Sequence, residues 1–219
     1  MSMVKNYPAP PMRKREILRY AGAREVSPAE EKLMRECLEE ISGKLSYRVC
    51  WQECAVTEGE GILDLGFMQT TSAGLRKNLA GCDRVILFAA TIGLEIDRAI
   101  RKYSRISPAK ALFFQAIGAE RIEALCDAFC AEQEARWKAE GKGIRPRFSP
   151  GYGDLPLEVQ RDFFRVLNCS AKIGVSLNES LLMSPSKSVT AIMGITGHIC
   201  EKEEKGCSTC EKTDCIYRR

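Results

Sequence analysis

Hydrophobic positions along this chain fall into two rhythms. In SPAEEKLMRECLEEISGKL, which starts at Ser27, the residues Leu33, Met34, Cys37, Leu38, Ile41 and Leu45 recur three and four apart, the period of an amphipathic helix. Ser27 reads as its N-cap, Pro28 stands in the first turn and Glu30 completes a capping box. Shorter helices are expected from Arg13 to Gly22, over 72–80 with Gly81 as the stop, and in GLEIDRAIRKYS (93–104). Ser107 and Pro108 open a long helix that can run to Glu140, punctuated by Gly118. LPLEVQRDFFRVLN (155–168) is amphipathic through Leu157, Phe163, Phe164 and Leu167. The second rhythm is extended. RVILFAAT (84–91) reads as a strand buried on both faces, SVTAIMGI (188–195) as a last strand, and 48–57 as a strand with ILDLGF, after Gly59 and Gly61, as its antiparallel neighbour. The proline-rich residues 1–12 read as an extended arm.

Helices and strands intermingle without a regular βαβ alternation. The fold class expected is therefore α+β: one domain over 13–195 with a mostly antiparallel sheet and several helices, then a short cysteine-rich C-terminal tail over 196–219. A chain of 219 residues can bury a sizeable core. The longest apolar run, Val85 to Ile92, is less than half of a bilayer span, so no membrane partner is expected. No basic, apolar leader opens the chain, which points to the cytoplasm. The net charge of +4 is spread rather than gathered in a stripe, so no nucleic-acid partner is expected either.

Cysteine changes this picture. There are eleven, an odd number, which suits free thiols and metal ligands in a reducing compartment better than a disulfide framework. Seven are scattered through the body, most at apolar periodic positions that suit small core residues. The other four, Cys200, Cys207, Cys210 and Cys215, crowd a charged tail, HICEKEEKGCSTCEKTDC, with spacing C-x6-C-x2-C-x4-C. Thiolates this close in a segment with almost no apolar residues can order it by sharing a metal, and four of them suit tetrahedral zinc or an iron–sulfur cluster; unmetallated thiols are the third reading. His198 is a reserve ligand.

It is the only histidine, so the main domain has none for a Ser-His-Asp or Cys-His mechanism. GEGILDLG and GYGD lack the third glycine of a dinucleotide fingerprint. The stretch IRPRFSPGYGDLP (144–156) is more specific. Its prolines fix φ and its glycines permit φ > 0, so the loop has few conformations and can hold Arg145, Arg147 or Tyr152 still. The bland alternative is a well-made connector in which Asp154 caps the next helix.

At RFSPGY (147–152), followed by a helix and then LNESLLMSPSKSVTAIMG (177–194), the sequence resembles the reactivation domain of cobalamin-dependent methionine synthase. That family has an arginine five residues before the tyrosine of a proline–glycine–tyrosine turn, then a helix, a leucine-x-glutamate-serine segment, a methionine-x-proline turn and a strand. The same pieces stand here in the same order, best over 143–194.

The resemblance implies a C-shaped α+β domain that binds S-adenosylmethionine in a shallow groove and docks on a corrinoid protein while its cobalamin is reduced and remethylated. It puts Arg147, Pro150, Gly151 and Tyr152 in the cofactor site, and Met193 at the position of a cofactor-contacting tyrosine of the family. An arginine fork suits the ligand's carboxylate and a tyrosine can supply a ring face or hydroxyl. No aspartate precedes Asp64, so the family's N-terminal acidic contact has no counterpart. The implied partner is a corrinoid protein or a methionine synthase lacking its own activation domain, with a flavodoxin or ferredoxin as reductant. The alternatives are a small redox protein built on the tail cluster, and another adenosylmethionine-binding protein on the same scaffold.

Overall fold

The computed structural model describes residues 2–23 and 27–197. Its first element comes from the stretch expected to be an arm. β1 (Met3–Asn6) adds to the edge of the main sheet, with Val4 opposite Cys50, and Tyr7 N–H extends the contact by donating to the Tyr47 carbonyl (2.8 Å). The prolines begin at Pro8, after the strand, and the four residues before them are free to pair. Helices α1 (Lys14–Tyr20) and α2 (Pro28–Ile41) follow. The capping box of α2 is present: Ser27 N–H donates to Glu30 Oε2 (2.8 Å) and Glu30 N–H donates to Ser27 Oγ (3.3 Å).

β2 (Arg48–Ala55) belongs to the main sheet, but ILDLGF is not its neighbour. The chain bends at Val56, whose N–H donates to the Asp83 carbonyl, and a small sheet begins. β3 (Thr57–Gly59), β4 (Ile62–Asp64) and β5 (Gln69–Thr70) form it, joined at Glu60 and Gly61, both at positive φ. The short helix α3 (Ala73–Asn78), N-capped by Ser72, leads into β6 (Cys82–Thr91). α4 (Glu95–Tyr103) and the long α5 (Pro108–Ala139) come next. Then come β7 (Gly143–Ile144), a 3-10 turn at Leu157–Val159, α6 (Gln160–Leu167), α7 (Cys169–Ile173), β8 (Ser176–Leu177), β9 (Met183–Ser184) and β10 (Ser188–Thr196). The helix expected over 155–168 opens with the 3-10 turn and continues as α6; Asn168, at a left-handed φ of 52°, ends it, and α7 starts afresh beyond it.

The main sheet has the order β1-β2-β6-β10-β7, antiparallel throughout among the described residues, so the expected α+β class holds. Alternate residues of its strands point into two cores. Val49, Ile86, Phe88, Ala191 and Met193 pack beneath α1, α2, α4 and α5. Cys50, Val85, Leu87 and Ile192 pack beneath α3, α6, α7 and the small sheet. Double coverage is the reason β6 reads as one unbroken apolar run. Gly118 does not interrupt α5; an added Cβ there would lie 2.8 Å from Ile96 Cγ2 and 2.8 Å from Lys187 Cε, so the glycine lets neighbouring segments approach. No helix among the described residues is long and apolar enough to cross a membrane.

Candidate functional site

The 143–156 segment begins as the last strand of the sheet. Arg145 N–H donates to the Gly194 carbonyl (2.8 Å), and Phe148 and Ile192 exchange both backbone hydrogen bonds (2.8 Å each). The chain then leaves the edge in a tight turn. Tyr152 N–H donates to the Ser149 carbonyl (3.1 Å), Leu155 N–H to that of Tyr152 (3.1 Å) and Gly151 N–H to that of Leu155 (2.9 Å). Gly151 has φ 82°, and a Cβ there would also press on Leu157 Cδ1 at 3.1 Å, so the turn needs a glycine on both counts.

Helix α3 ties the segment down at three places. Arg145 donates to the Ala80 carbonyl (3.0 Å) and Asn78 Nδ2 to the Pro146 carbonyl (3.2 Å). Asp154 accepts from Ser72 Oγ (2.6 Å), Ala73 N–H (2.6 Å) and Gly74 N–H (3.1 Å). Asp154 thus caps a helix eighty residues earlier rather than the one that follows it. The Ser72 hydrogen bond, aided by the two backbone donors, holds its carboxyl below the usual aspartate range.

Arg147 turns toward α5. Its Nη2 donates to Glu123 Oε2 (2.5 Å) and its Nη1 lies 3.3 Å from Asp127 Oδ1. Nη1 is buried and makes no hydrogen bond. Cys126 and Cys130, one turn apart on the same stretch of α5, flank the guanidinium. Burial pushes the Cys130 thiol up to about 11 against the pull of Arg147, and likewise raises the thiol of fully enclosed Cys126 well above its ordinary value.

Tyr152 is 69% exposed and stands edge-on to Phe148, ring centroids 5.4 Å apart. Phe148 belongs to the core opposite α5, so Arg147 and Tyr152 rest on different faces of the edge, joined by the turn. Pro150 is buried beneath that turn. Met193 is 1% exposed and packs in the core beneath α5, on the sheet face toward which Arg147 turns. Where the turn exits, an open cleft of about 340 Å³ is lined by Ile62, Gln69, Thr70, Thr71, Pro156 and Val159.

Glu123 and Asp127 escaped sequence reasoning. Their i, i+4 spacing, interleaved with Cys126 and Cys130, marks one helix face, but nothing local says that Arg147 meets it. Among the described residues no group of three or more His, Cys, Asp or Glu is placed to hold a metal. His198, Cys200, Cys207, Cys210 and Cys215 lie outside the described residues.

A two-core antiparallel sheet, edged by an arginine-bearing proline–glycine–tyrosine turn, defines an activation-domain-like α+β protein. The chain belongs to the family of the vitamin B12-dependent methionine synthase activation domain, whose family model matches residues 75–199. Its fold is similar to the crystal structure of the MetH reactivation domain bound to AdoHcy, with a TM-score of 0.64 at 15% identity, over 93% of this chain and 80% of that one. No curated protein matches the sequence.

Proposed function

We propose that this protein is an accessory subunit that reactivates a separate cobalamin-dependent methionine synthase or related corrinoid methyltransferase, and that it binds S-adenosylmethionine at the 147–152 turn. The observation that carries the reading is the charge set at that turn. Arg147 faces Glu123 and Asp127, and its buried guanidinium Nη1, ion-paired with Asp127, makes no hydrogen bond. An amino-acid end group carries a carboxylate and an ammonium, and this cluster supplies the complement of each. The AdoHcy in the structurally similar MetH reactivation domain supports the ligand class.

In this reading Arg147 holds the ligand carboxylate, and Glu123 or Asp127 takes the ammonium. The turn built on Pro150 and Gly151 presents backbone groups, and Tyr152 supplies a ring face. Met193 fills from below the place where the resemblance puts a tyrosine. Bound S-adenosylmethionine supplies an electrophilic methyl group for the cobalamin carried by the partner. The protein's own part is to bind, orient and dock, with a flavodoxin or ferredoxin delivering electrons. Calorimetric titration with S-adenosylmethionine tests the site: saturable binding is expected, and none at millimolar ligand would leave a docking protein alone. Recovery of a corrinoid protein on this chain from native extract tests the partner.

The tail adds a second proposal. Cys200, Cys207, Cys210 and Cys215 form a four-thiolate donor set suited to an iron–sulfur cluster or zinc, placed in a protein that serves a reductive step. Anaerobically prepared protein should contain iron or zinc near one site per chain. Elemental analysis finding neither would remove the metal from the account.

A further inference from the structure

A second pocket, of about 330 Å³, lies between the N-terminal segment, the end of α2 and α5. Its walls are largely apolar: Leu38, Ile41 and Leu45 come from α2 and the loop after it, Pro10 and Met12 from the N-terminal segment. Two polar side chains join them, Tyr47 and Arg121, 8% and 3% exposed. Arg121 is two residues from Glu123 on α5, about 200° around the helix, so this pocket is separate from the cluster at Arg147.

The charge at this pocket is already balanced. Arg121 donates through Nε and Nη2 to Glu120 (2.5 and 2.7 Å), through Nη2 to the Pro11 carbonyl (2.9 Å) and through Nη1 to the Pro10 carbonyl (2.6 Å). Glu120 is 0% exposed, so its carboxylate neutralises the guanidinium at close range, and an incoming anion would face a buried charge of its own sign. What remains is donor capacity. A guanidinium has five N–H groups and these bonds take four, which leaves one on Nη1 for the Tyr47 oxygen or for a ligand. The Tyr47 hydroxyl donates to no acceptor among the described residues. A buried phenol with an unused proton, beside an unused N–H, suits a hydrogen-bond acceptor. Size narrows the ligand further. An apolar cavity of about 150 Å³ suits a benzene ring, so a pocket about twice as large suits two fused rings or a branched chain of similar bulk.

We propose that this pocket binds a small neutral molecule, flat and apolar over most of its surface, whose carbonyl oxygen accepts from Tyr47 and Arg121. Because the walls come from both the N-terminal segment and the body of the domain, the bound ligand clamps that segment onto α2 and α5.

The test uses the full chain with isotope-labelled methionine methyl groups, followed by NMR. The probes are 2-acetylnaphthalene, a neutral bicyclic ketone, 2-isopropylnaphthalene, which has the same shape without the acceptor, and 2-naphthoate, the anionic counterpart. With the ketone, the Met12 methyl signal, assigned through Met12→Leu, should shift saturably while that of Met193, beneath the Arg147 turn, stays fixed. The amides between Tyr7 and Arg13 should exchange more slowly. The naphthoate should bind about tenfold more weakly, and Tyr47→Phe should weaken the ketone by about the same factor, the loss of one hydrogen bond. The isopropyl compound should also bind more weakly, despite being the more apolar, because it leaves the buried donors unpaired. Leu45→Trp, which fills the pocket, should abolish the shift. No saturable shift at Met12 with the ketone would overturn the proposal. So would equal or tighter binding of the isopropyl compound, which would leave a merely apolar surface, or of the naphthoate, which would mean that Glu120 does not neutralise Arg121. The comparison of the three probes on the unsubstituted protein decides the matter even where a variant fails to fold.

Discussion

Arg147 is paired before any ligand arrives, and this shapes what its removal should do. Its acidic partners Glu123 and Asp127 are 30% and 49% exposed, so water already screens the cluster and the pairs contribute about 1 kcal/mol or less to stability. A bound carboxylate, held in a charged hydrogen-bonded pair, is a different case, and truncating one partner costs roughly 2–5 kcal/mol. Arg147→Ala should therefore weaken S-adenosylmethionine binding by a factor of about 30 or more with little change in melting temperature. Arg145→Ala is the control, because that guanidinium is occupied by the Ala80 carbonyl. Equal losses in the two variants, read by calorimetry, would remove Arg147 from the site. Asp154 carries the second residue-scale prediction. Its carboxyl is held low in the folded protein, so its stabilising effect is present above the aspartate pKa of the unfolded chain and is lost as pH falls through the lower folded value. Asp154→Ala should lower the melting temperature by roughly 2–6 °C near neutral pH, and the gap from the unsubstituted protein should close in acid. A gap that stays constant with pH would show that the carboxylate charge is not what holds the loop to α3.

At the scale of elements, what was legible in the sequence was what local chemistry decides. The cap and apolar stripe of α2, the Ser-Pro start of α5 and the apolar run of β6 each carry their own signal, and each stands where expected. β1, β7 and the β8–β9 hairpin are four residues or fewer, and each exists because a distant strand or a partner two residues long accepts its hydrogen bonds. The site divides in the same way. The turn at Pro150 and Gly151 could be read locally, while the meeting of Arg147 with α5 depends on how the sheet edge docks against Glu123 and Asp127, helix positions 24 and 20 residues earlier. Gly118 shows how such docking is enforced. A glycine inside a helix costs about 1 kcal/mol relative to alanine, yet here the missing Cβ leaves room for Ile96 and Lys187. Gly118→Ala should thus destabilise, by about 1–3 kcal/mol in urea unfolding, rather than stabilise as at an exposed helix position. A stabilised variant would mean that α4 and the Lys187 side chain yield freely.

The molecule as a whole is closed by its N-terminal segment, and a buried charge pair holds it. Glu120 and Arg121 are adjacent on α5, with side chains 0% and 4% exposed. Arg121 donates to Glu120 and also to the carbonyls of Pro10 (2.6 Å) and Pro11 (2.9 Å), while Glu120 Oε1 accepts from Arg13 N–H (3.1 Å). Farther along α5, Glu132 accepts from Lys5 (2.6 Å) and Tyr7 (2.8 Å). The long helix therefore grips the segment from β1 to Arg13 at two levels, and the pair at Glu120 is the one without water. Removing one member of a buried pair leaves the other charge uncompensated, which costs about 3–5 kcal/mol, whereas replacing both by apolar residues of similar volume is often close to neutral. Glu120→Ala should lose stability on that scale and release the 3–13 amides to fast hydrogen exchange. Glu120→Leu combined with Arg121→Met should recover much of the stability, yet leave the Pro10 and Pro11 carbonyls without donors and the same amides still fast. If the double variant restores slow exchange as well, apolar packing alone holds the N-terminal segment and the charge pair is incidental. If Glu120→Ala costs less than about 1 kcal/mol, Arg121 has found water or another anion, and the pair is not the latch described here.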